Sequence, residues 1–491
     1  MAGLKSLAKD TAIYGMSSIV GRFLNYLLVP LYTAKLSVES GGYGVITNIY
    51  SYVALLLVIL TYGMETSFFR FANKKDEDPM RAYSSILLSI GSTSLLFVLL
   101  VLAFLPQVSA FIGYSDHPEY VGVMAACVAI DAFQTIPFAF LRYKKRAIKF
   151  AALKLLFIVL NIALNLVYFI ALPALYDSHP DIVGIVYDPT VGVGYAFFIN
   201  LFCTALITLF FWRELTGFKY VFDRQLMRRI LSYSWPILVL GITGILNQTA
   251  DKILFPFIYA GSDATAQLGI YGAASKVAMI MAVITQAFRY AYEPFVFGKT
   301  ADRDNAATQA QAMKFFIIFT LLAFLAVIAY IDIIKYIIAP AYWSGLRVIP
   351  IVMAAEIMMG VYFNLSFWYK LTDRTIWGAV FSGIGCAVLV AINVIFVPRY
   401  GYMACAWAGF AGYGTAMLIS YFVGRKYYPI DYPLRRIACY LLLAAAIFAA
   451  YTWIVIDNFL LNILLRTALL AVFAIAIVKA EHFKLPQRHK A

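Results

Sequence analysis

The chain has 491 residues, of which 63% are hydrophobic and only 13% charged, and its mean hydropathy is +0.82. Soluble domains carry about 25% charged residues, so this composition excludes an ordinary soluble protein. The net charge of +14 first suggests a nucleic-acid partner. Most basic residues, however, lie in short loops between apolar stretches, so nucleic acid is not an expected partner.

Apolar stretches long enough to cross a membrane follow one another along the whole chain. A spanning helix needs about 20 predominantly apolar residues, and fourteen such stretches are predicted. They run roughly over 11–34, 43–64, 83–105, 119–141, 150–172, 190–212, 230–258, 266–295, 313–338, 346–371, 374–397, 402–424, 434–456 and 459–479. The predicted fold class is therefore all-α, a polytopic membrane protein of about 14 transmembrane helices.

The first predicted span carries a charge, Arg22, inside an otherwise membrane-like stretch. Thr11, Tyr14, Ser18, Arg22 and Asn25 follow helical spacing, which places them on one face. A charge at bilayer depth costs at least about 2.5–3.5 kcal/mol on insertion scales, so it normally faces a protein interior or a watery cavity. We expect the first span to line a cavity and Arg22 and Asn25 to contact substrate. The alternative is an Arg22 that pairs with an acid to hold spans together.

The loops between spans alternate in charge. Basic residues cluster within 65–82, 142–149, 213–229, 425–436 and the C-terminal tail, whereas loops 106–118, 173–189 and 259–265 contain no Lys or Arg. This is the positive-inside pattern. It predicts that both termini are cytoplasmic and that the number of spans is even.

Cofactor signals are missing from the sequence. Five cysteines and four histidines form no metal-ligand or disulfide spacing, and no G-x-x-x-x-G-K-[ST] phosphate loop occurs. The N-terminus lacks a short apolar region with a cleavage site, so we expect it to stay uncleaved. No cofactor, metal or built-in ATPase is expected.

An internal repeat relates two parts of the chain. Pro30 matches Pro256 and the pair Tyr43-Gly44 matches Tyr271-Gly272, with separations of 226 and 228 residues. Duplicated halves place binding sites near the bilayer midplane between them. The expected lobes are 1–212 and 213–424, with two extra spans and the cytoplasmic tail in 425–491.

Cations within the spans outnumber acids. The six cations are Arg22, Lys154, Lys252, Lys276, Arg289 and Arg466. Lys276 and Arg289 are candidates for substrate contact, although Lys276 could extend to the membrane surface, as we expect for Lys154 and Arg466 near span ends. Arg289 could equally pair with Glu293, four residues away.

The seventh predicted span also shows a polar face. Thr243, Asn247 and Asp251 share one side of a helix, which makes Asn247 a candidate for substrate contact. Lys252 directly follows Asp251 and points about 100° away from it, so the two are not expected to pair automatically.

Three deep acids, Asp131, Asp251 and Glu356, are candidates for ion coupling. A buried carboxylate can take up a proton or Na⁺ during transport. The alternative for Asp131 and Glu356 is a structural ion pair with a cation on another span.

Two stretches of the chain resemble a known family. The stretch GRFLNYLLVPLYTAKLSVESGGYGVITNIYSYVALLLVILTYGMETSFFRF and the later stretch SYSWPILVLGITGILNQTADKILFPFIYAGSDATAQLGIYGAASKVA resemble polysaccharide flippases of the Wzx type. These belong to the multidrug/oligosaccharidyl-lipid/polysaccharide exporter superfamily. The shared features are Arg22, the Tyr43-Gly44 opening of the second span, and Asp251-Lys252 before an aliphatic run.

The resemblance implies two six-helix lobes around a central cavity plus two extra C-terminal helices. It implies a transporter, not an enzyme, in a bacterial cytoplasmic (inner) membrane, which moves an undecaprenyl-diphosphate-linked oligosaccharide to the outer leaflet by alternating access. The expected partners are that lipid-linked oligosaccharide, membrane lipids, H⁺ or Na⁺, and polysaccharide-assembly proteins. The products it implies are O-antigen (lipopolysaccharide), capsule or exopolysaccharide.

Three rival functions stay open at this stage. A lipid II flippase or a multidrug exporter would belong to the same superfamily, although acidic cavities suit cationic drugs better than the excess of cations seen here. A membrane-embedded glycosyltransferase or polymerase would be an enzyme, and it would usually need large outer loops or acidic metal motifs.

Overall fold

The computed structural model describes residues 26–298, 305–372, 374–454 and 456–481. The predicted all-α fold class is confirmed in these ranges. The main helices are α1 (Leu28–Lys35), α2 (Gly42–Thr61), α3 (Met64–Ala72), α4 (Pro79–Ala103), α5 (Pro118–Tyr143), α6 (Ala147–Leu166), α7 (Gly194–Leu209), α8 (Arg224–Ile258), α9 (Ala264–Ala278), α10 (Ile280–Gly298), α11 (Asn305–Ala329), α12 (Ile349–Leu365), α13 (Ile376–Tyr400), α14 (Tyr402–Tyr427), α15 (Leu434–Trp453) and α16 (Phe459–Ala480).

Shorter helical pieces connect these helices. The α-helical ones are Leu105–Phe111, Leu172–Tyr176, Pro180–Val183, Trp212–Leu215, Ile331–Ile334 and Phe367–Leu371; Val167–Ala171 is a π-helix, and Pro189–Val191, Lys335–Ile337 and Pro340–Val348 are 3₁₀-helices.

The chain is a multi-pass membrane protein. Within the described ranges, ten helices are long and apolar enough to cross a membrane, and the bent pair α9 and α10 makes eleven. The count of fourteen stays a prediction, because most of the first predicted span lies outside the described residues and α7 has only 16 residues. The predicted single span 266–295 is interrupted at Met279, where the two helices meet at 41°.

Helix boundaries follow local sequence signals. Asp78 caps α4 by accepting a hydrogen bond from the Met80 amide at 2.9 Å, with Pro79 in the first turn. Asp223 caps α8 in the same way through the Leu226 amide at 2.9 Å. Gly63, at φ +72°, separates α2 from α3 in a left-handed conformation that glycine adopts without strain. The α8 helix that begins beyond Asp223 is 35 residues long and contains two prolines.

The structure divides into two compact units. Among the described residues, the first comprises those up to Ala273 together with Leu389–Cys405, and the second comprises those within Ala274–Val388 together with those from Ala406 onwards. Lobe boundaries at 212 and 424 stay a prediction.

The core of the first unit lies among α2, α3, α4, α5 and the start of α8. Phe68 and Tyr83 are fully buried there. The Tyr83 ring stacks on Phe140 with centroids 4.2 Å apart, and its hydroxyl donates to the Glu214 carbonyl at 2.8 Å. An aromatic cluster thus closes the end of this unit that carries the basic loops.

Helices α2 and α9, which hold the two copies of the Tyr-Gly repeat, approach each other closely. A Cβ atom at Gly44 would collide with the backbone carbonyl of Thr265 and lie 2.9 Å from the Gly269 amide. A Cβ atom at Gly272 would collide with the side chain of Thr47. The repeated glycines therefore form a reciprocal contact, which we call the glycine crossing.

The second unit packs α11 against α12, α15 and α16. Phe316 on α11 and Phe473 on α16 are fully buried. At the end of α16, Glu481 accepts hydrogen bonds from Lys314 on α11 and, at 2.6 Å, from the Tyr440 hydroxyl on α15. These contacts tie the last helix to two others.

Nearer the start of α16, Arg466 pairs with Asp332 at 3.0 Å. The Arg466 side chain is mostly buried, at 14% exposure. A carboxylate in the same unit therefore neutralises the Arg466 charge. The side chain does not need to extend to the membrane surface, as the sequence had suggested.

Candidate functional site

The predicted substrate-contact residues are spread over several helices. Arg22 and Asn25 lie outside the described residues, so their roles stay predictions. Asn247 is buried on α8 and donates to the Thr243 carbonyl at 2.8 Å. Lys276 lies half-buried on α9. Arg289 lies on α10, with its guanidinium carbon 4.9 Å from the centroid of the Phe363 ring.

The alternative partner of Arg289, Glu293, belongs to α10, but its side chain lies outside the described residues. A local ion pair between the two therefore stays a prediction. The third acid candidate, Glu356, is half-buried on α12 in the second unit.

Asp251 lies at the centre of a buried cluster in the first unit. Its carboxylate accepts hydrogen bonds from the Tyr271 hydroxyl at 2.6 Å and from Lys252 Nζ at 3.0 Å. The lysine reaches its sequence neighbour because its long side chain folds back, which helix geometry alone does not indicate. Helix spacing left this pairing open, and the structure shows that the two residues pair.

The same cluster includes Asn48 on α2 and Tyr114, two residues that sequence analysis missed. Asn48 donates to the Lys252 carbonyl at 2.8 Å and accepts a hydrogen bond from the Tyr114 hydroxyl at 2.9 Å. The only sequence signal for this contact is the position of Asn48 inside an apolar run. The hydrogen bonds of this cluster join α2, α8 and α9.

Asp131 occupies a different setting between α5, α6 and α7. It accepts a hydrogen bond from the Thr204 hydroxyl at 3.3 Å. Gln134, one helical turn away, donates to the Thr204 carbonyl at 2.7 Å and to the Thr208 hydroxyl at 2.8 Å. The Gln134 amide group therefore links α5 to α7, and its two hydrogen bonds go to α7 and not to the Asp131 carboxylate.

Two other groups approach the Asp131 carboxylate. The Cys127 thiol, a weak donor, has its Sγ 4.0 Å away. Lys154 on α6 interacts electrostatically with Asp131, and its Nζ lies 4.0 Å from the centroid of the Phe138 ring. Lys154 therefore combines a cation–π contact with attraction to a half-buried acid.

Further polar contacts continue through the interior of the first unit. The Tyr32 hydroxyl donates to Asn165 at 2.8 Å, and Asn200 donates to the Tyr50 hydroxyl at 2.7 Å. Sequence analysis missed both pairs, because each joins helices that are distant in sequence. Together with Asp131 they form a polar interior in a membrane protein, where such groups are costly and commonly functional.

The second unit contains an apolar cavity of about 730 Å³ between α11, α12, α14 and α15. Its walls are mainly hydrocarbon side chains, including Leu321, Ile357, Trp407 and Leu441. Arg347 is the one charged residue among the described residues that line it. Such a lining suits a hydrocarbon ligand.

Metal ligation has no support in the described ranges. Among residues 26–298, 305–372, 374–454 and 456–481, no group of three or more His, Cys, Asp or Glu side chains is placed to hold a metal ion.

Solved structures share this fold at low sequence identity. The lipid II flippase MurJ in an inward closed conformation is 15% identical, with a TM-score of 0.69 over 95% of this chain and 98% of that one. An inward-facing multidrug resistance MATE family transporter of the MOP superfamily is 16% identical, with a TM-score of 0.64 over 85% of this chain and 95% of that one. The MATE multidrug transporter DinF-BH is 15% identical, with a TM-score of 0.59 over 86% of this chain and 95% of that one.

Sequence comparisons give a complementary result. No curated protein matches the chain. The profile of the polysaccharide biosynthesis protein family matches residues 7–294, which is more than half of the sequence. The resemblance to a polysaccharide family is thus confirmed by the family match, and the solved structures share the fold. The chain belongs to the polysaccharide biosynthesis protein family.

Proposed function

We propose that this protein flips an undecaprenyl-diphosphate-linked oligosaccharide from the inner to the outer leaflet of the bacterial cytoplasmic membrane. It would do so by alternating access and supply surface polysaccharide synthesis. The observation that carries the proposal is the family match over residues 7–294, because polysaccharide synthesis requires sugars to cross a membrane. The fold shared with a lipid II flippase adds support.

The lipid part of this substrate fits the apolar cavity of the second unit. A long prenyl chain needs a hydrocarbon surface to leave the bilayer without exposure to water. The cavity offers about 730 Å³ with nearly all-apolar walls. A lipid-linked substrate is thus favoured over a soluble sugar.

The diphosphate part requires cations inside the membrane. Arginine suits phosphate because its planar fork donates two parallel hydrogen bonds. We assign this role to Arg22, with help from Lys276 and Arg289, while Asn25 and Asn247 contact polar groups of the substrate. The positive-inside pattern supports cytoplasmic termini, so the substrate would be taken up from the side of the basic loops.

Among the three acid candidates for coupling, the contacts favour Asp131. Asp251 is held by Lys252 and Tyr271 at 3.0 and 2.6 Å, which suits a structural role. Asp131 accepts only one hydroxyl hydrogen bond, at 3.3 Å from Thr204, and lies near Lys154, so a proton or Na⁺ could exchange there more readily. Glu356 stays a second candidate.

The test is a flipping assay in proteoliposomes loaded with a fluorescent undecaprenyl-diphosphate oligosaccharide. We expect Arg22→Ala to abolish flipping, whereas Arg213→Ala, at an exposed position in the short helix Trp212–Leu215, behaves like wild type. Asp131→Asn should remove the dependence on an imposed pH or Na⁺ gradient. Full flipping by Arg22→Ala at normal protein levels would refute the assignment of that residue.

A second candidate function is lipid II flipping, which the likeness to MurJ favours. The same assay with labelled lipid II separates the two. Transport of lipid II at the rate of an oligosaccharide-linked lipid, together with rescue of cells depleted of their own lipid II flippase, would replace the proposed substrate. Resistance to cationic drugs on expression would instead indicate a multidrug exporter.

A further inference from the structure

A second cavity opens in the first unit, at the end that carries the basic loops. It has a volume of about 580 Å³ and lies between the end of α3 and the first turns of α8. Its polar lining consists of Arg70, Lys74, Arg228, Arg229, Ser232 and Tyr233. We call it the basic pocket. The volume is within the range of about 300–1,000 Å³ that is typical of small-ligand sites.

Aromatic rings hold two of these cations in place. The Arg70 guanidinium lies 3.9 Å from the centroid of the Tyr233 ring, and Lys74 Nζ lies 4.6 Å from that of Phe71. The rings of Phe71 and Tyr233 in turn pack edge to face, with centroids 6.3 Å apart. A cation already stacked on a ring loses less freedom when it binds a ligand, which raises affinity.

The charge of the basic pocket is largely uncompensated. Glu77 pairs with Arg229 at 2.6 Å, but no carboxylate is among the lining residues. In the part of the chain that the structure describes, Arg70 and Arg228 make no ion pair. Two other acids, Asp76 and Asp78, lie in the same loop outside the lining, and Asp78 caps α4 and faces Arg81 at 3.8 Å. An anion would therefore meet several cations and little repulsion.

We infer that the basic pocket binds a phosphate-bearing headgroup at the membrane surface. Two arginines on α8 and one on α3 present planar donors from two directions, which suits an anion with several phosphate oxygens better than a single carboxylate. The natural source is either the diphosphate of the transported lipid, in which case the inference rests on the proposed function, or the headgroup of an anionic phospholipid.

If the diphosphate is the ligand, the basic pocket is a docking site used before the substrate reaches Arg22. The lipid chain would stay in the leaflet while the headgroup is captured at its surface. Capture of this kind raises the local concentration of a scarce anionic substrate.

The test measures binding of radiolabelled inorganic diphosphate to the full-length protein in phosphatidylcholine nanodiscs. We expect saturable binding by wild type and at least about tenfold weaker binding by the Arg70→Gln/Arg228→Gln variant. The matched control is Arg224→Gln, since Arg224 is exposed one turn before Arg228 and does not line the pocket. Both substituted side chains are exposed, and the single variants serve if the double variant cannot be purified.

A second arm repeats the measurement in nanodiscs that contain phosphatidylglycerol. Loss of diphosphate binding by wild type there identifies the phospholipid headgroup as the occupant, and retained binding identifies the diphosphate. The inference is overturned if wild type shows no saturable binding, or if the double variant binds like wild type. Because this readout needs no transport, its failure is distinguishable from failure of the flipping assay.

Discussion

The glycine crossing makes a sharp prediction for Gly44→Ala. The added methyl group would collide with the Thr265 carbonyl and lie 2.9 Å from the Gly269 amide. Both are backbone atoms, which cannot rotate aside as a side chain can. Helices α2 and α9 must therefore separate, and the buried contacts around them must loosen.

The expected loss can be estimated from two opposing effects. Overpacking of a tight interior costs roughly 1–3 kcal/mol, and a backbone collision belongs at the upper end, about 3 kcal/mol. Alanine is a better helix former than glycine by up to about 1 kcal/mol. The net loss for Gly44→Ala is then about 2 kcal/mol.

Gly244→Ala is the matched control. Gly244 also lies within a helix of the first unit, but its Cβ would meet no atom within 4 Å. We expect this variant to equal or slightly exceed wild type. Gly272→Ala should be intermediate, because it meets the Thr47 side chain, and Thr47→Ala should recover part of its loss.

The assay is the midpoint of heat-induced loss of the monodisperse peak, measured by fluorescence size-exclusion chromatography. Gly44→Ala should have a lower midpoint than Gly244→Ala under the same conditions. Equal midpoints for the two variants would refute the close approach of α2 and α9 at the repeated glycine.

Two further predictions concern buried carboxylates outside the spans, with the exposed Asp116→Asn as a control for both. Glu214 is almost fully buried and binds Lys149 at 2.6 Å. Glu214→Gln should cost about 1–2 kcal/mol of unfolding free energy in a thermal assay, since its partner is partly exposed; a midpoint like the control's would contradict this. Burial raises the pKa of Glu481, but the hydrogen bond from Lys314 and its other polar contacts outweigh burial and hold that pKa below its ordinary value. The resulting stabilisation is present above the ordinary pKa of about 4.3 and is lost as the pH falls through the lower folded pKa. Glu481→Gln should therefore lower the midpoint at neutral pH and flatten its acid decline, and an acid decline parallel to wild type would contradict the contact.

The membrane fold could be predicted from the sequence because the signal repeats in every span. Long apolar runs and the alternation of basic and neutral loops each depend on local composition. The Tyr-Gly repeat was also visible, and the structure gives it a physical reason, since Gly44 and Gly272 both lie where two helices nearly touch. Assignments that depend on Arg22 and Asn25 stay predictions, because these residues lie outside the described ranges.

Other features depend on contacts that a single sequence does not reveal. The pairing of Asp251 with Lys252 requires the lysine side chain to fold back, although the backbone directs the two apart. The break between α9 and α10 at Met279 contains neither proline nor glycine, so no local sequence signal indicates it. The basic pocket joins residues of α3 and α8, whose charges were interpreted from sequence only as loop charges that set orientation.

The length of α8 has a mechanical consequence. Its 35 residues extend about 52 Å, against a hydrocarbon thickness of about 30 Å. Pro236 removes the amide that would bond to the Ser232 carbonyl, which creates a point of weakness between the first three turns and the rest. The first turns pack in the core of the first unit through Leu226, Met227 and Ile230, so a ligand bound to Arg228 and Arg229 would act on that core, while the helix beyond the proline could bend separately.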